Sequence, residues 1–135
     1  MSKGDKYKII SSLLRVLGHP ERIRILLEIE TEESCVCHLE AQLGIRQAYL
    51  SQQLMALREE GILRTSREGR FIYYRIADQK ILDMITAAAQ IKSVSLDAIN
   101  TEKKTCDCTG LLKTRLFSKA VRKKKWEIQR NPRSN

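Results

Sequence analysis

The chain has 135 residues, of which 42% are hydrophobic and 30% charged, and its formal net charge is +9 at pH 7. This length and composition allow one folded domain with a modest core and some additional chain. No apolar run approaches the roughly 20 residues that cross a bilayer, so we expect no membrane-spanning helix. Residues 1–100 carry 14 basic and 13 acidic side chains, whereas residues 101–135 carry 11 and 3. The net charge therefore lies in the tail, and DNA binding by the body has to be judged from where its charges cluster.

Two helices are predicted in the first 30 residues. Apolar residues between positions 9 and 17 recur at the spacing of a helix face, and Gly18 ends the pattern. This predicts a first helix of about two to three turns. Pro20 suits the first turn of a second helix, whose aliphatic residues follow between positions 23 and 29.

A helix-turn-helix is predicted next. Ser34 is a good N-cap for a short third helix, which Gly44 ends. A fourth helix over about residues 47–60 places its leucines on one face, away from Ala48 and Ser51. Two short helices joined by a glycine-containing turn form a motif whose second helix enters the DNA major groove.

A β-hairpin and a long helix are predicted after the helix-turn-helix. Residues 62–66 and 71–76 are rich in β-branched and aromatic residues and flank a turn over residues 67–70, which is typical of a wing. Residues 79–100 predict a long helix whose apolar side chains spread over more than one face. A protein this small would leave part of that surface in water, so we expect the helix to pair with its copy in a two-fold dimer.

The last part of the chain has a different composition. Residues 101–104 form a polar linker, and apolar residues after Gly110 alternate with lysines and arginines at helical intervals. This pattern predicts a basic amphipathic helix. It could contact the DNA backbone, dock on the dimer or lie on an anionic membrane through Trp126, and we favour the first two. We therefore predict a DNA-binding and dimerisation domain over residues 1–100 and a basic, cysteine-containing tail over residues 101–135.

Several motifs resemble the winged helix-turn-helix repressors of the ArsR/SmtB family. They are LGHPERIRIL at residues 17–26, SQQLMALR at 51–58, the Glu60-Gly61-Ile62 turn and REGRFIYYR at 67–75. The resemblance covers residues 9–100. It implies a mainly α fold with a small β-hairpin (α+β), a winged helix-turn-helix that is dimeric through its first and last core helices. It also implies a bacterial repressor that leaves its operator when an inducer binds.

All four cysteines lie in two Cys-X-Cys pairs, Cys35/Cys37 and Cys106/Cys108. Residues 1–8 are polar and lysine-rich, without the apolar core of a secretory segment, so we expect a cytoplasmic chain with reduced thiols. Such clusters favour a soft-metal or redox site. Arsenic-responsive members of the family carry a CVC motif where Cys35 and Cys37 fall here.

Both cysteine pairs are candidate metal ligands. Three thiolates suit trigonal As(III) or Sb(III), whereas four suit tetrahedral Cd(II) or Zn(II), and Pb(II) is also thiophilic. We place As(III) first, with Cd(II), Pb(II) or Zn(II) as alternatives. Residues two apart on an ideal helix point about 200° from each other. If Ser34 caps the helix, chelation by Cys35 and Cys37 must therefore distort its first turn.

The same sulfurs support a second hypothesis. One cysteine of each pair could form a disulfide or polysulfide bridge in response to an oxidant or to sulfide. The string GIRQ-x-x-LSQQL-x-x-LRE-x-GI, followed by TSRE, also resembles the sulfide and persulfide sensors of the family. Those sensors use one cysteine near the second or third helix and one after the last helix. The third reading, inert buried cysteines, fits poorly with two pairs flanked by polar residues.

The predicted recognition helix and wing supply the candidate DNA contacts. With the leucines of the fourth helix turned inward, the residues near its start can meet base edges or phosphates, and Gln is able to read adenine with two hydrogen bonds. Arginines crowd the wing, where they can reach phosphate. The candidates are Arg46, Gln47, Ala48, Tyr49, Ser51, Gln52, Arg67 and Arg70.

The predicted function is that of a homodimeric repressor which binds double-stranded operator DNA and releases it when a thiophilic inducer binds the cysteines. The redox switch of the same fold is the alternative. An enzyme is not expected, because neither His19 nor His38 forms a convincing nucleophile-base pair with a cysteine.

Overall fold

The computed structural model describes residues 2–96, which form five helices and three strands. The elements in chain order are α1 (Lys3–Leu17), α2 (Pro20–Ile29), β1 (Glu33–Cys35), α3 (Val36–Leu43), α4 (Gln47–Glu59), β2 (Leu63–Glu68), β3 (Phe71–Ile76) and α5 (Lys80–Ile91). The predicted α+β winged helix-turn-helix is therefore confirmed. Within this part of the chain, no helix is long and apolar enough to span a membrane.

The first two helices begin at local signals in the sequence. Helix α1 starts earlier than its apolar pattern suggests, because Asp5 accepts the backbone N–H of Ser2 at 3.3 Å and its hydroxyl at 2.7 Å. This contact stabilises a polar first turn. Helix α2 begins at Pro20 as predicted, where the missing N–H costs no helical hydrogen bond.

The core lies between the helices and one face of the sheet. The sequence periodicity of α2 and α4 places their aliphatic side chains in it, and three leucines of α4 are completely buried. The core therefore fixes which face of α4 is left for other contacts. Its members are Leu17, Ile25, Leu26, Ile29, Leu39, Leu50, Leu54, Leu57, Ile62, Leu63, Ile76, Ile81, Leu82 and Ile85.

The sheet has three antiparallel strands in the order β1-β3-β2. The predicted hairpin is confirmed, but β2 continues to Glu68, so the loop is only Gly69-Arg70. Gly69 has φ +57°, a backbone conformation that favours glycine. Strand β1 is an additional element: Glu33, Ser34 and Cys35 pair with residues 75, 74 and 73 of β3.

Two predicted helix boundaries are wrong. Ser34 is not the N-cap of α3, because it is taken up in β1, and Cys35 is the cap instead. Helix α5 ends at Ile91 and does not continue through residues 92–96. The backbone turns at Ser93, whose φ is +55°, and the N–H groups of Ser93 and Val94 donate to the carbonyls of Gln90 and Ala89. This pair of bonds closes the end of a helix. The predicted residues 97–100 lie outside the described part.

Candidate DNA-binding surface and thiol pair

The helix-turn-helix is formed by α3 and α4. Gly44 ends α3 in the left-handed conformation, with φ +65°, and its N–H donates to the carbonyl of Glu40 at 3.0 Å. Arg24 of α2 donates to the carbonyl of Leu43 at 3.1 Å, which holds the end of α3 from the side. The turn then leads through Arg46, the N-cap residue of α4, into the recognition helix.

The predicted DNA-contacting residues of α4 lie on its exposed face. Arg46 and the five candidates that follow it are all exposed, whereas the leucines of α4 are buried. Tyr49 is at the edge of this face, with 39% of its surface accessible. The start of α4 therefore presents an exposed, mainly polar helix face, and an α-helix is an element that the major groove admits.

Met55 is a further candidate on the same face, and we did not identify it from the sequence. It is 60% exposed although it is apolar. Its position follows Ser51 and Gln52 by one helical turn, so the three side chains share one face of α4. The signal was present in the sequence, because Met55 falls between the buried positions Leu54 and Leu57 without sharing their periodicity. An apolar side chain at this place can contact a thymine methyl group.

Replacing Met55 with alanine is expected to weaken operator binding by about 1 kcal/mol, roughly fivefold, through loss of an apolar base contact. Because Met55 is exposed, the thermal midpoint of unfolding should hardly change. Fluorescence anisotropy with operator and with a scrambled duplex measures both affinities. An equal loss on the two duplexes would contradict a base contact.

The wing places two predicted arginines near its tip. Arg67 and Arg70 are both exposed, one near the end of β2 and one in the hairpin loop. The guanidinium carbon of Arg70 lies 5.3 Å from the ring centroid of Phe71. This cation–π contact holds the guanidinium group of Arg70 against the wing, and the residue as a whole remains exposed.

Further along the wing, charged residues lie side by side across all three strands. Arg64 of β2 and Arg75 of β3 are direct neighbours, and Glu33 of β1 is the neighbour of Arg75 on its other side. Glu33 is buried. An acidic residue on one side of Arg75 offsets part of the repulsion between Arg75 and Arg64 on its other side. The row therefore combines two positive charges and one negative charge at the part of the wing next to β1.

The first cysteine pair is compact. The Sγ atoms of Cys35 and Cys37 are 2.9 Å apart, with Cys35 buried and Cys37 partly buried. The expected distortion of a helical turn is not needed, because Cys35 has the extended backbone of a strand end, with φ −82° and ψ 161°. Only Cys37 is helical, so the 200° separation does not apply. His38 follows, and its Nε2 lies 3.4 Å from a carboxylate oxygen of Glu28.

Strand pairing connects Cys35 to the wing. Cys35 is opposite Tyr73 of β3, and Tyr73 is opposite Ser66 of β2, so the three residues form one row across the sheet. All three are buried. Within residues 2–96, the Ser66 hydroxyl oxygen has no hydrogen-bond partner. Only Tyr73 therefore separates the thiol of Cys35 from a buried polar group of the wing, the Ser66 hydroxyl.

Tyr74 occupies the neighbouring row of the sheet, between Ser34 and Thr65. Burial raises the pKa of its phenol above the ordinary value, and the positive charge of Arg58 acts in the opposite direction with a smaller effect. Tyr74 is consequently neutral at physiological pH. The phenol of Tyr74 therefore adds no charge to the sheet beside the thiol pair.

The two cysteine pairs are not brought together within the described residues, since Cys106 and Cys108 lie outside them. Among residues 2–96, no group of three or more Cys, His, Asp or Glu side chains is arranged to hold a metal ion. The Cys35/Cys37 pair supplies two soft ligands at one point. A trigonal or tetrahedral thiolate site requires further sulfurs.

Comparison with protein families identifies the helix-turn-helix region. The model described as "Bacterial regulatory protein, arsR family" matches residues 19–65, which run from the N-cap of α2 into β2. The biofilm growth-associated repressor of Agrobacterium fabrum is 45% identical over 78 residues, which are 58% of this chain and 67% of that protein.

Solved structures extend the likeness to the whole described fold. The transcriptional repressor BigR from Xylella fastidiosa is 37% identical, with a TM-score of 0.57, and the alignment covers 67% of this chain and 96% of that one. NolR from Sinorhizobium fredii is 28% identical, with a TM-score of 0.63 and coverage of 70% and 97%. The similar chains are thus covered almost completely, while about a third of this chain is additional.

Proposed function

The chain belongs to the arsR family of bacterial regulatory proteins, and from this membership we propose how it acts: a homodimer that releases its operator when its cysteine pair reacts with a thiophilic species. It is a DNA-binding transcriptional repressor and not an enzyme. As a bacterial regulator that acts on operator DNA, it is assigned to the cytoplasm in this proposal.

The proposed reading surface is the exposed face of α4 together with the wing. Gln47 and Gln52 read base edges, because a glutamine amide offers a donor and an acceptor side by side. Arg46, Arg67 and Arg70 contact phosphates on either side and fix the protein on the duplex. Ala48, Tyr49 and Ser51 fill the remaining surface of the helix start, and all of these residues are exposed.

The proposed dimer interface is formed by α1 and α5. Tyr7, Ile10 and Leu14 are all more than half exposed and recur along one side of α1. Helix α5 has a second apolar side that ends at Ile91, which is 81% exposed. Apolar surface on two helices is unfavourable in water and is buried when two copies meet around a two-fold axis. This supports dimerisation through the first and last helices of the body.

The observation that carries the proposed switch is the 2.9 Å separation of the Cys35 and Cys37 sulfurs. Two thiols at one point, next to a strand that pairs with the wing, form the start of a thiolate site. As(III) is the first candidate inducer, because three thiolates complete its trigonal shell. Cys106 or Cys108, from the same or the partner subunit, is the proposed source of further ligands. With both of them, Cd(II), Pb(II) or Zn(II) could be held instead.

The sheet provides a physical connection from the thiol pair to DNA. Drawing the Cys35 sulfur toward a metalloid displaces the end of β1, where Cys35 is paired with Tyr73 of β3. Because β3 is one arm of the wing, its displacement moves the arginines that contact phosphate. The required coupling is modest, since about 1–3 kcal/mol between two sites changes affinity by roughly 5–150-fold.

Oxidation is the second candidate, and the same short sulfur distance favours it. Two thiols in contact are placed to form a disulfide when an oxidant such as peroxide accepts their two electrons and two protons. A bridge from Cys35 or Cys37 to the tail pair is the longer-range version of this switch. Both versions act where β1 ends and α3 begins.

We also propose the division of the chain that its composition and charge distribution predict. Residues 1–100 are assigned to DNA binding and dimerisation, and residues 101–135 to a basic tail that supplies Cys106 and Cys108.

Operator release by a reduced protein tests the metalloid switch. An operator is first selected from random duplexes, and its affinity for reduced protein is then measured by anisotropy with and without As(III) or Cd(II). We expect an affinity loss within the roughly 5–150-fold range, reversed by a competing dithiol. Unchanged affinity with both ions would rule out a metal switch. Release by peroxide alone, with two hydrogen atoms lost in the mass spectrum, would establish the redox alternative.

A further inference from the structure

The two sides of helix α1 make different contacts. One side bears the exposed residues Tyr7, Ile10 and Leu14 of the proposed dimer interface. The other side, with Leu13 and Val16, packs on the core. Helix α1 therefore belongs both to the proposed dimer interface and to the interior of the body. Its contacts with the interior determine which other helices it holds in place.

Arg22 links the end of α1 to the middle of the recognition helix. Its Nε donates to Oε1 of Gln53 in α4 at 2.8 Å, and its Nη1 donates to the carbonyl of Val16 in α1 at 3.1 Å. Gln53 is buried although it is polar, on the side of α4 opposite to the exposed face. A guanidinium that bonds two elements through separate nitrogens fixes both distance and angle between them.

A second polar contact joins α1 directly to the C-terminal end of α4. The hydroxyl of Ser12 in α1 donates to Oε2 of Glu60, the C-cap residue of α4, at 2.8 Å. Apolar packing alone tolerates small sliding and rotation, because it is not directional, whereas two hydrogen bonds at separate points resist both. Together they hold α4 against α1 at its middle and its end.

We infer that Arg22 and Ser12, through Gln53 and Glu60, are positioning residues that fix the angle of the recognition helix relative to the dimer helix. In a two-fold dimer this angle sets the distance and the rotation between the two recognition helices. It therefore selects operators by the spacing of their half-sites, which must match the separation of those helices on one face of the duplex. The inference relies on the homodimer proposed above and is independent of the inducer.

Half-site spacing provides the test. Inserting one base pair between half-sites moves one of them by about 3.4 Å and turns it by roughly 35°. The full-length protein is titrated with the selected operator, with the operator containing this insertion and with a duplex that holds a single half-site. The wild type should prefer the original spacing. Gln53→Met, which removes the acceptor for Arg22 but keeps the volume, should reduce this preference at least fivefold while half-site affinity stays within twofold.

Two further variants separate positioning from stability. Gln53→Glu keeps an acceptor for Arg22, so this variant should show the spacing preference of the wild type. Ser12→Ala acts at the other end of α4, on a partly exposed residue, and should reduce the preference even if Gln53→Met does not fold. An unchanged preference in Ser12→Ala and in folded Gln53→Met overturns the inference, as does an equal loss on all three duplexes.

Light scattering on the wild type separates this inference from the proposal on which it relies. A monomer would overturn both the homodimer and the positioning role. A dimer whose variants keep the wild-type spacing preference would overturn the positioning role alone. A dimer with a reduced preference in the variants supports it.

Discussion

Replacing Cys35 or Cys37 with serine abolishes the response of operator binding to As(III), while the affinity of the untreated protein for its operator stays within about twofold. The reason is that serine cannot supply the soft sulfur ligand, and one remaining thiol of the pair cannot hold the ion at this point. The 2.9 Å contact between the two sulfurs makes the pair act as a unit. Anisotropy titrations of operator at several As(III) concentrations measure the effect.

The controls for the cysteine variants follow from burial. Cys35 is only 2% exposed, so a serine hydroxyl there lowers the stability of the sheet even where the folded protein keeps its operator affinity. Cys35→Ala removes the sulfur without burying a hydroxyl and should give the same loss of response. Replacing Cys106 or Cys108 with serine tests the tail: loss of the response identifies a third ligand. A wild-type response in Cys35→Ala and Cys37→Ser together would falsify the thiol switch.

Replacing Leu14 with glutamate dissociates the dimer and weakens operator binding on the order of 10²–10⁴-fold. Leu14 is 51% exposed on the apolar side of α1, and a carboxylate there would be buried between two copies without a partner. A monomer loses the second half-site, whose contribution is of this size because binding to it is intramolecular in the dimer. Light scattering and operator titration give the two quantities.

Lys8→Gln is the matched control for this variant. It changes the net charge by the same amount as Leu14→Glu, and Lys8 is also exposed on α1. Its position is roughly 100° away from Tyr7 and 120° away from Leu14 around the helix. The control should remain dimeric and keep its operator affinity. If Leu14→Glu remains dimeric as well, α1 is not the interface.

Much of the DNA-reading element could be predicted from local patterns. The periodicity of apolar residues identified α4 and its buried face, and Gly44 and Gly69 marked a helix end and a hairpin loop that need positive φ. These signals are short-range, since each depends on residues within one or two turns of the chain. The same applies to Pro20 at the start of α2.

The end of α5 could not be predicted from local sequence patterns. No glycine or proline stands near Ser93, so the apolar pattern continues past the point where the helix closes. Ser93 adopts positive φ without being glycine, a choice that the hydrogen bonds of Ser93 and Val94 stabilise. Such a boundary depends on backbone geometry more than on residue type.

By itself, the sequence determined the family, the helix-turn-helix and the presence of a cysteine pair beside it, because periodicity, turn residues and the CVC motif are all local. Only the tertiary structure decided how that pair is presented. Cys35 lies on a strand because residues 73–75, nearly forty positions later, pair with residues 33–35, and a three-residue strand has no periodicity of its own. Because of this distant pairing, Cys35 has an extended rather than a helical backbone, and its sulfur lies next to that of Cys37. The same pairing connects Cys35 to a strand of the wing.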